Sequence, residues 1–369
     1  MSQCFAEVVA IDAIDPHPNA DKLEIATIRG AKVVVGKGAF QVGEAIAYFP
    51  PDLLIPELQA EKLGVKKYLK HSVYPGDVMK TQCRVAACRL RGTPSYGFPI
   101  PLSEIFGHPD DYPAIGTDIS GFVQAVKYEP PVRTSQEHRY KFNADAAPDH
   151  PDFHRYTDIE NYWRYAKAIP EGMPVVFTEK IHGSNIRFGL IRTGDEFEFM
   201  VGSRKVNWKP ETASGVIPLW WRMLTEPLME LLTNLCDEKR SVIVFGEIYG
   251  PGIQDMDYGA EDVSFRAFDI SIDGRYCNYD DFQSICEAHV VETVPMVFTG
   301  PFTKAALDEH TYGPTRMASP DVIRSKFKDR EGVVIRPISE QFSNIMGGRL
   351  ILKSVSADYL DRKGAQDNE

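Results

Sequence analysis

Glycines at positions 30, 36, 38 and 43 cut the first fifty residues into short apolar runs, and this punctuation restricts the fold more than any other feature of the chain. The runs are Phe5 to Ile14, Leu23 to Arg29, Lys32 to Val35 and Glu44 to Tyr48, with a turn at Asp15-Pro16-His17-Pro18-Asn19. Short strands at such close spacing predict a small β-barrel rather than a βαβ unit. Cys83 to Leu90 adds one more strand, ended by a turn at Arg91-Gly92.

The texture changes at Tyr128. Glu129-Pro130-Pro131 begins a polar stretch that runs through Ala146-Ala147-Pro148-Asp149-His150-Pro151, and its low apolar density and repeated prolines read as a linker. The expected organisation is a β-rich domain over 1–130, a linker over 131–150 and a second domain over 151–369. In that second domain strands are expected at Val175 to Glu179, Ile186 to Ile191, Phe197 to Gly202, Ser241 to Ile248, Val263 to Ile272, Gly332 to Arg336 and Arg349 to Lys353. Helices are expected at Pro218 to Leu235, Asp280 to His289 and Ser319 to Lys326. Helices interleaved with antiparallel-looking strands give an α+β class, not a doubly wound sheet.

The bulk properties narrow the partners. A net charge of −11 over 369 residues has the wrong sign for a protein that coats nucleic acid indiscriminately, although a local patch of Lys and Arg still serves a nucleic-acid site. No run approaches the roughly 20 apolar residues of a membrane span, so no membrane role is expected. The start, Met1-Ser2-Gln3-Cys4, lacks the basic and apolar regions of a secretory signal. Six cysteines are scattered without a repeated CxxC pair, which fits reduced thiols in a cytoplasmic protein better than zinc or disulfides.

Chemistry concentrates in the second half. Thr178-Glu179-Lys180-Ile181-His182-Gly183-Ser184-Asn185 puts a lysine at the end of an apolar strand, before a turn containing Gly183. Alone, this octapeptide is equally a surface lysine beside a hairpin. As a nucleophile, lysine must lose its proton first. Phe245-Gly246-Glu247-Ile248-Tyr249-Gly250 places a carboxylate after a β run. In Phe265-Arg266-Ala267-Phe268-Asp269-Ile270, strand alternation puts Phe265 and Asp269 on one face and Phe268 on the other. Glu331 enters an apolar strand at Glu331-Gly332-Val333-Val334-Ile335, and Arg349-Leu350-Ile351-Leu352-Lys353 brings a second lysine to a strand end.

In this order the segments resemble motifs I, III, IIIa, IV and V of the covalent lysyl-nucleotidyltransferase superfamily of DNA ligases, RNA ligases and capping enzymes. Each is short and weak alone; five in order are specific. Lys180-Ile181-His182-Gly183-Ser184-Asn185 resembles the K-x-H-G-[ST]-N form of RNA ligases, and only sixteen residues follow Lys353, too few for the trailing OB domain common in DNA ligases and capping enzymes. At the front, His17-Pro18-Asn19-Ala20-Asp21-Lys22-Leu23-Glu24 and Val33-Val34-Val35-Gly36-Lys37-Gly38 resemble RNA-binding OB folds. Gly43-Glu44-Ala45-Ile46-Ala47-Tyr48-Phe49 with Arg89-Leu90-Arg91-Gly92 resembles the leading domain of the Deinococcus-type and Naegleria-type nick-sealing RNA ligases.

The resemblance implies an OB-like barrel before an ATP-grasp-like adenylyltransferase domain, and ATP-dependent sealing of 3′-hydroxyl and 5′-phosphate RNA ends, in nicked RNA or RNA/DNA duplexes. Lys180 would carry AMP, and Lys353 would lie against the α-phosphate. Arg204 would hold phosphate or the RNA end, unless it is a hairpin-end surface arginine. Glu179 would belong to the nucleotide pocket, Glu247 would accept from ribose and Phe268 would stack on adenine. Glu331, Asp269 and Glu247 would engage Mg²⁺ or Mn²⁺ or its water shell. His182 is read as a hydrogen-bonding member of the motif turn rather than a general base. Ile351 stands where motif V often has its first lysine, with Arg349 the possible substitute. RNA-binding candidates in the first domain are Lys62, Lys66, Lys67, Lys70, Arg84, Arg89 and Arg91, the lysines being equally a solvated helix face. Trp208, Trp220 and Trp221 follow the Arg204 motif, the last two read as helix core. No obligate protein partner is called for. The alternatives are a capping guanylyltransferase, a DNA ligase, or a non-catalytic OB-fold RNA-binding protein.

Overall fold

A computed structural model describes residues 5–51, 53–73, 81–127, 145–236 and 241–361. They fall into two compact units: the described part of Met1–Arg133 with Tyr162–Ala166, and the described part of Thr134–Asn161 with Lys167–Arg362. Of the stretch read as linker, 131–144 lies outside the described residues. Beyond it, Ala146–Ala147 is a strand paired with Asn207–Trp208 of the second unit.

In the first unit the glycine-punctuated runs are strands, each shorter than an average helix. Phe5 to Ile14 is two strands, Glu7–Ala10 and Ala13–Pro16, because the chain leaves one sheet and enters another at Ile11 and Asp12. Glu7–Ala10 pairs with Ala45–Phe49, which pairs with Phe98–Pro101. Ala13–Pro16, Leu23–Ile28 and Ala31–Gly36 form a second sheet. Leu53–Pro56 and Thr81–Arg84 belong to a third. Cys83 to Leu90 likewise divides, its latter part pairing Cys88–Leu90 with Thr93–Ser95. Arg91 and Gly92 sit at φ +52° and +87°, as the two central residues of a type I′ hairpin turn require. His17 fastens the Asp15–Asn19 turn to this hairpin: its Nδ1 accepts from the Asn19 N–H, and Nε2 lies 3.1 Å from the Leu90 carbonyl.

Two antiparallel-dominated sheets build the second unit. One has seven strands, with Glu196–Ser203, Ser184–Thr193, Val242–Tyr249 and Ser264–Ile272 at its centre. The other has five, with Leu352–Val355, Gly332–Pro337 and Pro174–Lys180 adjacent. Ile186, Phe188, Val244 and Ile270 on one face of the larger sheet pack with Leu228, Leu231 and Leu232 of the helix Glu226–Leu235, and with Phe282 and Cys286 of the helix Tyr279–Ala288. Its other face carries Ile191, Ile243 and Phe245, with Phe153 packed on them. This is the expected α+β class.

Three elements of the second unit differ from expectation. Pro218 to Leu235 is two helices, Leu219–Arg222 and Glu226–Leu235, with Thr225 extended between them. Pro227 is tolerated there because it falls in a first turn. Ser319 to Lys326 is not helical; the Asp257 carboxylate instead accepts from the backbone N–H groups of Arg324 and Ser325, holding the segment as a loop. Arg349 to Lys353 is interrupted, with Gly348–Arg349 in a small hairpin and Leu352–Val355 in the five-stranded sheet.

Candidate functional site

The register of the five-stranded sheet decides which side chains meet. Lys180 stands opposite Gly332, and Thr178 opposite Val334, which in turn stands opposite Lys353. Cross-strand partners share a face and residues two apart share a face. Lys180 and Lys353 therefore project from the same side of the sheet, one row apart, with Glu179 on the reverse. Gly332 leaves room at the crowded end: a Cβ there would stand 2.1 Å from the Ser354 carbonyl oxygen.

Lys180 Nζ lies 2.8 Å from Glu331 Oε1, and the two side chains are only 13% and 2% exposed. A pair so shielded keeps much of its Coulomb attraction, unlike a surface bridge. The following turn is held tightly. The His182 N–H donates to the Tyr258 hydroxyl (2.7 Å), His182 Nε2 lies 2.8 Å from Asp255 Oδ1, and Nδ1 lies 2.9 Å from the Tyr359 hydroxyl. His182 is thus a hydrogen-bonded anchor whose partners include Asp255 and Tyr258 from one distant loop and Tyr359 from the helix Ala357–Asp361. Gly183 is dictated by contact. A Cβ there would meet the Ile248 carbonyl oxygen at 2.2 Å and Glu247 Cγ at 2.8 Å. That closeness brings Glu247, opposite Asn185 on the larger sheet, up to the lysine turn.

Phe268 and Asp269 do not alternate as expected. Phe245 pairs with Asp269 but Gly246 with Ala267, so Phe268 is the extra residue of a β-bulge. The bulge turns Phe268 and Asp269 to one side, where Phe268 packs edge-on to Tyr156 with ring centroids 4.8 Å apart. Phe265 lies on the other side, against Phe188. Asp269, fully buried, forms ion pairs with Arg336 Nη1 at 3.1 Å and Arg349 Nη1 at 2.6 Å and accepts from the Tyr156 hydroxyl at 2.8 Å. Two guanidinium groups and a phenol already take up its oxygens, so the metal-ligand expectation does not fit this geometry. Arg349 is committed as well: its fork grips both Glu340 oxygens (2.6 and 2.7 Å) and its guanidinium lies 3.8 Å from the Tyr276 ring centre. Burial alone would lower the pKa of Arg349, but Tyr156, Asp269 and Glu340 outweigh it and raise it. It is not placed as a stand-in for a motif V lysine.

The other expected residues are distributed as follows. Glu179 is buried on the reverse of its strand, where its carboxylate accepts from the Thr315 hydroxyl and, at 2.7 Å, from the Arg316 N–H. Burial pushes its pKa up. Arg204 follows the hairpin strand Glu196–Ser203 and pairs with Asp158 at 2.5 Å. Beneath it the buried Arg187 donates to Asn207 Oδ1 at 2.5 Å and to the Ser203 carbonyl, fixing the hairpin end. Trp208 and Trp220 stack at 5.7 Å and Trp221 donates to the Trp208 carbonyl, so this aromatic set packs on itself and the core.

Among the described residues no three His, Cys, Asp or Glu side chains converge as a metal cage. Candidate oxygen donors at the lysine turn include the carboxylates of Glu331, paired with Lys180, and of Glu247, packed against Gly183. That sparse, hard set suits Mg²⁺ or Mn²⁺, which take one or two carboxylates and complete their shells with water and phosphate. Sequence reasoning missed Tyr156, Asp255, Tyr258, Arg336 and Tyr359. Only Tyr359 carried a local signal, the Ser356-x-x-Tyr359 cap of a short helix; Tyr156, Asp255 and Tyr258 reach their partners from loops, and Arg336, on the strand Gly332–Pro337, meets Asp269 of a different sheet.

A β-rich leading unit, followed by two opposed sheets with a carboxylate-paired lysine at a strand end, defines a nucleotidyltransferase of the covalent ligase class. Residues 173–355 match the RNA ligase family model and residues 5–102 match an OB-fold domain model. The chain belongs to the RNA ligase family and is an enzyme of that class. No curated protein matches it by sequence. Its fold is that of the Naegleria gruberi RNA ligase. A mutant of that enzyme with AMP and Mn is similar at TM-score 0.77 and 22% identity, covering 99% of this chain and 100% of that one. A second mutant, with ATP and Mn, gives 0.76 and 22%, covering 98% and 100%. The form with PPi gives 0.74 and 23%, covering 99% and 100%.

Proposed function

We propose that the protein seals 3′-hydroxyl and 5′-phosphate RNA ends with ATP, in nicked duplexes, through a Lys180–AMP intermediate. The observation that carries this is the Lys180–Glu331 pair at 2.8 Å, on the same sheet face as Lys353. The solved structures of similar fold hold ATP, AMP, PPi and Mn, which supports the same cofactors here.

Lys180 must give up a proton, and the Glu331 carboxylate is the adjacent acceptor. The Nζ lone pair then forms a bond to the α-phosphorus of ATP while the bond from that phosphorus to the bridging oxygen breaks, and pyrophosphate leaves. A 5′-phosphate oxygen of RNA next displaces Lys180 from phosphorus, giving 5′-adenylylated RNA. The 3′-hydroxyl finally attacks the RNA phosphate, losing its proton and expelling AMP. Negative charge gathers on phosphate oxygens at each stage, so the cationic Lys353 stabilises the transition states from the shared face. A divalent ion, held by Glu331 and Glu247, would supply further positive charge there. Glu247 also serves as acceptor for the ribose, and Phe268 offers an aromatic surface to the base.

The test is incubation with α-labelled ATP or GTP and Mg²⁺ or Mn²⁺, followed by denaturing electrophoresis. ATP should label the wild type, and Lys180→Ala and Lys180→Arg should take no label, because a guanidinium is not a nucleophile at neutral pH. Labelling by GTP instead would make the protein a capping-type transferase. Sealing that tolerates a 3′-terminal deoxynucleotide equally well would make it a DNA ligase by preference.

A further inference from the structure

Phe268 is the extra residue of its bulge and is left out of the ladder, so its half-exposed ring takes its direction from what packs beside it. Tyr156 stands there. The two rings are 4.8 Å apart and inclined at 65°, and Tyr156 also packs against Phe245 and Tyr276 at 5.0 and 5.5 Å. Tyr156 belongs to an irregular stretch, yet that stretch is fastened to the same sheet: Phe153 packs on Ile191, Ile243 and Phe245, and His154 Nε2 lies 3.1 Å from Ser271 Oγ. The Tyr156 hydroxyl is fixed as well. The Asp269 carboxylate only accepts and the Arg349 guanidinium only donates. The phenol therefore gives its one hydrogen to Asp269 Oδ2 at 2.8 Å and accepts from Arg349 Nη1 at 2.9 Å. Burial pushes its pKa well up, so that hydrogen stays in place.

We infer that Tyr156 is a positioning residue for nucleotide binding: tied by its hydroxyl to Asp269 and Arg349, it holds the Phe268 ring where that ring meets the base. This rests on the reading of Phe268 given above. A phenylalanine outside the ladder, without a neighbour to hold it, exchanges between side-chain rotamers. A base that stacks on only one of them binds more weakly, in proportion to the fraction of time that rotamer is absent. A fixed neighbour removes that cost in advance. The buried Asp269–Arg349 pair, which the metal does not need, thereby has a use as the mount of the tyrosine. Tyr156 acts through Phe268, at the base end of the nucleotide and away from the phosphates. Its contribution is the same before and during the reaction, so it belongs to the ATP concentration required and not to the maximal rate.

The experiment compares wild type, Tyr156→Phe, Tyr156→Leu, Phe268→Leu and the Tyr156→Leu/Phe268→Leu double variant in the full chain. Tyr156→Leu removes the ring, whereas Tyr156→Phe keeps it and cuts only its tie to Asp269 and Arg349. The ATP concentration that half-saturates lysine adenylylation should rise about ten-fold in Tyr156→Leu, the scale of one weakened base–aromatic stack, and by a smaller factor in Tyr156→Phe. The maximal rate should stay within about two-fold. Inhibition by AMP, which carries the base, should weaken by the same factor as ATP, while inhibition by pyrophosphate, which lacks it, should stay within about two-fold. In the Phe268→Leu background the loss of Tyr156 should add nothing, because the two act as one unit. Crystals of Tyr156→Leu should show the Phe268 ring in a different rotamer from wild type. An unchanged half-saturation, an equal ten-fold loss in both backgrounds, pyrophosphate inhibition that weakens along with that of AMP, or a Phe268 ring that stays in place would each overturn the inference. If Phe268→Leu itself left half-saturation by ATP unchanged, the reading of Phe268 as the base platform would fall, and the crystals would still decide whether Tyr156 sets its ring.

Discussion

Lys180, half-buried, and Asp269, fully buried, show how differently two shielded charges are used. Lys180 is paired with the Glu331 carboxylate and stands at a strand end beside a second lysine on the same face. Lys353→Ala should retain the fold and lower lysine adenylylation by on the order of 10²-fold, the usual cost of removing a group that stabilises developing charge. Near-normal labelling would show that Lys353 does not reach the phosphate. Asp269 is surrounded by cations and serves structure. Asp269→Asn would leave Arg336, itself 4% exposed, facing a neutral amide, and breaking a buried ion set by removing one partner costs about 3 kcal/mol or more. Urea unfolding should register that loss, while the Mn²⁺ concentration that half-saturates adenylylation should stay within about two-fold of wild type. A large rise in that concentration with unchanged stability would return Asp269 to the metal.

Elements place these residues through register, and one of them sets a pH dependence. Glu179 and Lys180 are neighbours on one strand, yet the two-residue period sends the glutamate to the reverse face and into the Thr315–Arg316 loop. Burial raises the pKa of Glu179 in the folded chain, so the native state binds its proton more tightly than the unfolded state does. The stability this group contributes is complete below its unfolded pKa of about 4.3, and it falls as pH rises through the interval up to the native value. Glu179→Gln has no proton to lose. Subtracting its urea-derived stability from that of the wild type should give a difference that declines across this interval and then levels off. A flat difference would mean that the hydrogen bonds from Thr315 and Arg316 fully offset burial. Most of this level was legible in advance, because strand alternation and glycine punctuation are local signals: Pro174–Lys180, Ser184–Thr193, Val242–Tyr249 and Gly332–Pro337 stand within a few residues of expectation. What escaped was non-local. The bulge at Phe268 depends on pairing with Phe245 and Gly246, the loop over 319–326 is held by the distant Asp257, and the burial of Arg349 depends on Glu340 and Asp269.

At the scale of the whole molecule, an acidic chain has to present phosphate-binding charge locally, and the first unit narrows where. Of the seven basic residues expected to meet RNA, Arg84 is buried, and Lys66 is held between Glu57 and Glu61 at 2.5 and 2.6 Å. Lys62, Lys67, Lys70, Arg89 and Arg91 remain exposed, although Lys67 lies over the Tyr68 ring and Arg89 donates to the Gly92 carbonyl. The groups assigned to nucleotide chemistry all belong to the second unit. Charging the lysine and joining RNA ends should therefore respond differently to salt. Binding through phosphate contacts releases counterions, so affinity falls steeply as salt rises, by roughly 0.9 in logarithmic slope for each phosphate neutralised on a B-form DNA duplex. In the full-length protein, raising salt from about 50 to 200 mM should depress sealing of a nicked duplex at subsaturating RNA far more than it depresses lysine adenylylation. Replacing Lys62, Lys67 and Arg91 together by glutamine should flatten the salt dependence of sealing and leave adenylylation intact. If the triple variant seals with the wild-type salt slope, the RNA contacts lie elsewhere on the molecule; if adenylylation falls along with sealing, the first unit serves the nucleotide step as well as the RNA.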